Sequence, residues 1–203
     1  MSAPSIGAEP FGDGAVRFAL REGTDLRAIL DAMRGLPGVF DVVVTERHVC
    51  VHFDPEYPPM GLEAALDRAV HGSTAPGQRR LTIIRARYDG ADLNGVATYA
   101  NLSVDEVIAI HSAREYVVRF VGFMPGFAYL GDLDSRIAAP RLATPRPRVP
   151  ARAIAIAGER TGVYPFVSPG GWNLIATALD FEPFTAAHGA ALALGDRVRF
   201  EPA

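Results

Sequence analysis

The segments Phe123-Met124-Pro125-Gly126-Phe127-Ala128-Tyr129-Leu130-Gly131 and Thr161-Gly162-Val163-Tyr164-Pro165-Phe166-Val167-Ser168-Pro169-Gly170-Gly171-Trp172-Asn173 decide how the second half of this chain is read. Both are punctuated by Pro and Gly, yet they carry Phe123, Phe127, Tyr129, Tyr164, Phe166 and the sole tryptophan, Trp172. Pro fixes φ and Gly permits φ > 0, so the backbone is closely specified where large apolar groups are displayed. Loops of this kind either plug the end of a barrel or wall a binding pocket. Short apolar runs at 154–157, 163–166, 173–177 and 197–200 alternate with Pro/Gly turns around them. That texture predicts a small closed β-structure, not a parallel sheet with crossover helices.

Working backwards, residues 81–88 and 116–120 read as strands. Between them lie two short helices, 93–100 and 103–112, the second opened by a Ser103/Glu106 capping box. The first third has a different texture. Residues 15–20 form a strand, and Leu26, Ile29, Leu30, Met33 and Leu36 fall at helical spacing behind Thr24 or Asp25 as N-cap. Pro37-Gly38 stops that helix. Residues 39–45 and 48–53 are strands joined at Glu46-Arg47, and Leu62, Leu66, Ala69 and Val70 mark a second helix. Strand-helix-strand-strand-helix is most of a ferredoxin-like α+β unit. The stretch Gly72-Ser73-Thr74-Ala75-Pro76-Gly77 has linker composition, giving an α+β domain over 1–76 and a β-barrel domain over 77–203.

The 203 residues are 49% hydrophobic and 21% charged, with net charge −3, which argues against a protein whose main work is binding nucleic-acid backbone. All 20 basic residues are Arg. Without lysine there is no Schiff-base chemistry, no P-loop lysine and no biotin attachment on this chain. Cys50 is the single cysteine, so no internal disulfide forms. Met1-Ser2-Ala3-Pro4 lacks a signal-like pattern and no apolar run is long enough to span a membrane. The expectation is a cytoplasmic protein.

Several constellations carry possible chemistry. His48, Cys50 and His52 share one face of a strand, but their ends are about 13 Å apart, too far to converge on one tetrahedral ion. They read as a polar outer face, and no metal site is expected. Asp89 and Asp92 flank a turn. Asp92 either caps the next helix or, with Asp89, orients a substrate amide or amine. His111 ends a helix, where the dipole favours its protonated form. It is either a surface residue or a functional one, and no G-x-S-x-G serine is present to pair with it. Arg141, Arg146 and Arg148 sit in the proline-rich segment 140–150, which is either an anion-binding edge or a solvated connection. Gly158-Glu159-Arg160-Thr161-Gly162 reads as a hairpin turn.

Taken together, residues 122–131, the 140–150 segment, Thr161-Gly162-Val163-Tyr164-Pro165 and Ser168-Pro169-Gly170-Gly171-Trp172-Asn173-Leu174-Ile175 closely resemble the family of the 5-oxoprolinase B subunit. That family is also labelled allophanate hydrolase subunit 1 and includes the sporulation histidine-kinase inhibitor. The resemblance extends from Phe53-Asp54-Pro55 through the helix bearing His111 to Leu194-Gly195-Asp196-Arg197-Val198-Arg199-Phe200. Departures are Arg160 in place of Gln, Ala128 in place of Pro, an apolar Ile108 and Ile110 beside His111, and Phe181–His188 in place of a paired-proline stretch.

The resemblance implies a cyclophilin-like β-barrel after the α+β domain, and likeness to the carboxyltransferase region of urea carboxylase. It implies two partners. One is a homologous second barrel subunit (the C subunit of 5-oxoprolinase, or allophanate hydrolase subunit 2), and the other is the separate A subunit. The implied reaction is ATP-dependent opening of 5-oxoproline to L-glutamate, with ATP used by the complex and no ATP site assigned to this chain. On this basis His111 and Asp89 are the catalytic candidates. Phe123, Phe127, Tyr129 and Trp172 would wall the substrate site, Arg141 and Arg146 would bind an anionic group, and Tyr164 would orient the substrate. The alternatives are a histidine-kinase-inhibiting module and a urea carboxylase-like or allophanate hydrolase component.

Overall fold

A computed structural model describes residues 7–71 and 79–203. The chain divides into two compact units, Met1–Gln78 and Arg79–Ala203. The expected 72–77 linker and the first four residues lie outside the described residues.

In the first unit, β1 (Ala8–Pro10), β2 (Ala15–Ala19), β3 (Val39–Val44) and β4 (His48–Phe53) form an antiparallel sheet of order β1-β2-β4-β3. The helices α1 (Leu26–Arg34) and α2 (Leu62–His71) pack on each other, and α1 packs on β3 and β4. Asp25 caps α1 by accepting hydrogen bonds from the backbone N–H groups of Arg27 and Ala28. Strand alternation sets the core: Val49 and Val51 of β4 are buried with Val42, Val44, Ile29, Met33 and Leu66, while His48, Cys50 and His52 are only partly covered. The edge strand β1, too short to show a period, is an addition to the sequence reading.

The second unit is a closed barrel. Its strands are β5 (Leu81–Arg87), β6 (Glu115–Val121), β7 (Ala128–Gly131), β9 (Ala153–Ala157), β10 (Arg160–Val163), β12 (Asn173–Ala178) and β15 (Arg197–Pro202), in the order β10-β7-β6-β15-β5-β12-β9. Neighbours are antiparallel except β5 and β15, which run parallel. Helices α3 (Leu93–Ala100) and α4 (Val104–Ser112) fill the β5–β6 connection. The capping box is present, with Ser103 and Glu106 satisfying each other's backbone N–H groups. Outside the barrel, β8 (Arg146–Val149) pairs with β11 (Ser168–Gly170), and β13 (Phe184–Thr185) pairs with β14 (Gly189–Ala190).

The strand expected at 163–166 is instead Arg160–Val163. Pro165 offers no N–H to a ladder and holds Tyr164 in the turn that leaves β10.

All seven barrel strands contribute to one core that includes Ile84, Tyr116, Leu130, Ile154, Val163, Ile175 and Phe200, and Leu93, Val96, Ala97 and Val107 of the helices join it. Each large aliphatic residue fully buried there stabilises the fold by about 1.5–3 kcal/mol. Alternation along β9 divides the wall: Ile154 and Ile156 belong to this interior, whereas Ala153, Ala155 and Ala157 belong to a second cluster outside it.

A bulge in β12 supplies the other irregularity. The register against β9 shifts between Leu174 and Ala176, so Leu174 joins the outer cluster while Ile175 and Ala176 both join the interior. The turn after β5 seals the bulge: Gly90 N–H donates to Ile175 O at 3.1 Å and Asp92 N–H to Leu174 O at 2.9 Å. A Cβ at Gly90 would run into the Leu174 and Ile175 backbone. Gly90→Ala is therefore expected to lower stability by about 1–3 kcal/mol through overpacking. Urea unfolding of the purified variant checks this, and an unchanged midpoint would show that the turn yields.

Candidate functional site

The outer cluster is where most of the sequence-predicted site residues meet. Phe127 is its hub, with edge-to-face contacts to Phe123 (5.5 Å between ring centroids), Tyr129 (4.9 Å), Tyr164 (5.2 Å) and Trp172 (5.5 Å). Tyr129 also meets Trp172 at 5.6 Å and stacks on Phe120 at 4.1 Å. Edge-to-face pairing satisfies the ring quadrupoles and adds about 0.5–1.5 kcal/mol per pair. The floor is made of small residues. Ala153, Ala155 and Ala157 lie beneath, and a Cβ at Gly162 would be 3.3 Å from Phe127 and 3.5 Å from Trp172. The aromatic loops thus form a layer on the outer face of β9, β10 and β12, and do not enter the barrel interior.

Phe127, Tyr164 and Trp172 are buried, Tyr129 is partly covered, and Phe123 is 61% exposed. Phe123 holds φ +72°, unusual for a bulky residue, in the turn where Gly122 N–H donates to Phe127 O. An aromatic ring kept in strained backbone and open to solvent is typical of a contact position.

Cationic groups edge this layer. Arg141 acts electrostatically on both Tyr129 and Tyr164, and Arg146 acts on Tyr164. Burial pushes both phenols up. For Tyr129 the Arg141 charge opposes that; for Tyr164 a hydrogen bond from the Trp172 backbone opposes it first, followed by Arg141 and Arg146. Both phenols therefore stay protonated at neutral pH and can donate.

Arg146 is held by Asp92. Its Nη2 donates to Asp92 Oδ1 at 2.6 Å, while Asp92 Oδ2 accepts from the Leu174 N–H at 2.7 Å. This corrects the capping expectation: Asp92 occupies the N-cap position of α3, but its side chain makes no cap hydrogen bond and serves strand β12 and Arg146 instead. The 140–150 segment is not a loose connection. Asn173 Nδ2 donates to Pro140 O, Leu142 N–H donates to Gly171 O, and 146–149 pairs with β11.

His111 and Asp89 lie apart from this layer. His111 is fully buried in the barrel interior, stacked on Phe200 at 4.7 Å and near Tyr116 at 5.4 Å. Its Nδ1 is 2.8 Å from Tyr88 Oη and its Nε2 is 3.0 Å from Thr161 Oγ1. Thr161 donates its own proton to Ala155 O, so it must accept from His111 Nε2–H. Nδ1 therefore accepts from the Tyr88 hydroxyl, and the ring is neutral with both nitrogens satisfied. Burial lowers its pKa to about 3. The expected protonated histidine is overturned, because desolvation dominates the helix dipole. Tyr116 caps the helix end by donating to His111 O at 2.8 Å.

Asp89 accepts from Arg87 Nε at 2.6 Å and from Thr177 Oγ1 at 2.9 Å. Burial raises its pKa, but these hydrogen bonds outweigh it and hold the carboxyl below its ordinary value. Tyr88, its neighbour in sequence, is the residue that reaches His111.

This small closed barrel has known relatives. A family model described as "Carboxyltransferase domain, subdomain C and D" matches residues 9–187. The chain is 37% identical over 177 residues to the 5-oxoprolinase B subunit of Escherichia coli O157:H7, covering 85% of this chain and 78% of that one. It is 52% identical over 100 residues to the 5-oxoprolinase B subunit of Bacillus subtilis (strain 168), covering 48% and 42% respectively. The solved structure of TTHA0988 superposes with TM-score 0.80 at 36% identity, covering 93% of this chain and 39% of that one. Kluyveromyces lactis urea carboxylase, at 15% identity and TM-score 0.69 over 97% of this chain and 21% of its own, shares the fold. Matches therefore span less than half of the B. subtilis relative and of TTHA0988. The chain belongs to the family of carboxyltransferase domains, subdomains C and D, and is related to the 5-oxoprolinase B subunits. Among the described residues no helix is long and apolar enough to cross a membrane.

The neutral, buried His111 gives a signed pH dependence. Between about pH 6.5 and pH 3 the unfolded chain binds a proton at this residue that the folded chain refuses. Its contribution to stability is complete above that window and is lost as pH falls through it. Urea unfolding at pH 7 and pH 5 is expected to show a larger loss for wild type than for His111→Gln, which keeps a donor and an acceptor but does not titrate. Equal losses would mean that the histidine charges freely.

Proposed function

We propose that this chain is one subunit of an ATP-dependent 5-oxoprolinase-type amide hydrolase, acting with a homologous second barrel subunit, plus a third partner chain. The observation that carries the reading is the meeting of Phe127, Tyr129, Tyr164 and Trp172 with Arg141 and Arg146 on one face of the barrel wall, in a chain related to the 5-oxoprolinase B subunits. 5-Oxoproline is a flat five-membered lactam with one carboxylate. Aromatic rings suit its faces, guanidinium groups its anion, and the neutral Tyr129 phenol its lactam oxygen. The cyclophilin-like description of the barrel and the ferredoxin-like description of the first unit belong to this reading.

His111 and Asp89 enter it as positioning groups on either side of Tyr88. The first receives the Tyr88 hydroxyl and the second ties the following turn to β12. ATP would activate the lactam oxygen by phosphorylation. With no lysine to cradle phosphates in P-loop fashion, this chain is a poor fit to such a nucleotide site, so phosphoryl chemistry falls to a partner. A second reading, binding of a protein such as a histidine kinase, is favoured by the exposure of Phe123, Phe166 and Val167.

The deciding measurement is glutamate formation from 5-oxoproline and ATP by the chain co-expressed with its genomic neighbours, and by the same set with this chain omitted. Activity that disappears on omission is expected. A complete complex with no turnover would defeat the enzyme reading and favour the protein-binding one.

A further inference from the structure

We propose that Arg146 and Ser168, with the Tyr164 hydroxyl, form a carboxylate subsite on the β8–β11 ribbon, and that Asp92 is the positioning residue that presents Arg146 to it. The proposal deepens the reading above and rests on it for the identity of the carboxylate.

Two polar atoms on this ribbon are shielded from solvent and find no hydrogen-bond partner among the described residues: Arg146 Nη1 and Ser168 Oγ. Buried donors are nearly always satisfied, and leaving one unpaired is destabilising, so two on one short ribbon call for an occupant. Their placement gives them a common target. Cross-strand partners share a face, and Ser168 is paired with Val149 while Arg146 is paired with Gly170. Val149 packs into the aromatic cluster. A Cβ at Gly170 would meet the Tyr164 hydroxyl. Both pairs therefore turn the same way, towards Tyr164, with the register shift between Ser168 and Gly170 allowing it.

The chemistry is that of a small planar anion. Asp92 takes only Nη2 of Arg146, which fixes the guanidinium and leaves Nη1 free to donate. The Arg146 side chain as a whole is 29% exposed, although Nη1 itself is shielded from solvent. Burial raises the Tyr164 pKa, so the phenol is protonated at neutral pH and has its proton to give. Three donors from Arg, Ser and Tyr, with Arg141 adding positive charge nearby, match the two oxygens of one carboxylate.

Trp172, the only tryptophan, touches Phe127 and Tyr129 in this layer, so its fluorescence reports occupancy directly. The test titrates the full chain, and the co-expressed complex, with 5-oxoproline, with 2-pyrrolidinone (the same lactam without the carboxylate) and with inorganic phosphate. Wild type is expected to bind 5-oxoproline at least about tenfold more tightly than either comparator, as one lost charge-assisted contact implies. Ser168→Ala and Arg146→Lys are each expected to weaken 5-oxoproline binding about three- to tenfold. Ser168→Ala should do so with an unchanged or raised melting temperature, since its hydroxyl supports nothing else among the described residues.

Asp92→Asn combined with Arg146→Lys should weaken binding no further than Arg146→Lys alone, as expected if Asp92 acts through the arginine. Unchanged binding in Ser168→Ala, a lowered melting temperature in that variant (a structural water between the two donors), equal affinity for 2-pyrrolidinone, or preference for phosphate would each overturn the subsite. Glutamate formation with kinetic constants unaltered in Ser168→Ala and Arg146→Lys would overturn it while leaving the enzyme reading intact. Carboxylate binding by these residues in a complex that forms no glutamate would do the reverse.

Discussion

One carboxylate holds the barrel domain's aromatic layer in register. Asp92 accepts from the Leu174 backbone with one oxygen and from Arg146 with the other. The first contact pins the bulge in β12 and the second anchors β8 against the barrel. Asp92 and Arg146 are 14% and 29% exposed, so neither charge is fully solvated, and removing one would strand the other in a partly desolvated position. The bulge itself sends Leu174 outward while Ile175 and Ala176 turn inward, which lets one strand serve two clusters. Without it, the aromatic layer and the barrel interior would compete for the same side chains.

The two clusters obey different size rules. Inside the barrel, Ile154 and Ile156 of β9 and Val163 of β10 fill space. Outside, the same strands present Ala153, Ala155, Ala157 and the bare Gly162. Large rings from the loops settle on that flat floor because nothing branches into them. This packing buries Phe127, Tyr164 and Trp172, while Phe123 stays exposed and Tyr129 is partly covered. The fold thus produces a rigid apolar surface without drawing on the interior that stabilises it.

Local signals in the sequence were easy to read. The Ser103/Glu106 capping box, an N-cap at Thr24 or Asp25 and the alternation of 48–53 all depend on residues within a few positions of one another, and the structure has them, with Asp25 as the cap. The aromatic grouping of Phe127, Tyr129, Tyr164 and Trp172 was legible because Pro and Gly around displayed rings have a narrow set of explanations. The partnerships that assign roles were not legible. Asp92 meets Arg146 across 54 residues and Leu174 across 82, and His111 meets Thr161 across 50. No pattern of spacing encodes them. Ser168 went unassigned because a serine before Pro-Gly-Gly looks like ordinary turn chemistry. Its hydroxyl is marked out by finding no hydrogen-bond partner among the described residues.

His111 shows why burial must be known before a titratable residue is given a role. At the end of a helix it invites the reading of a cation stabilised by the dipole, an effect of about 0.3–1 kcal/mol at an exposed site. Complete burial opposes charge far more strongly, and the ring's hydrogen-bond partners include no carboxylate to compensate. Its neighbours are instead two hydroxyls and the rings of Tyr88, Tyr116 and Phe200. Thr161 gives its proton to Ala155 O, and that choice propagates through the imidazole to Tyr88 and fixes one tautomer. The result is a directional chain of neutral hydrogen bonds running from β9 through β10 and α4 to the turn that carries Asp92. The histidine thereby ties α4 to the turn that carries Asp92, through the Tyr88 hydroxyl.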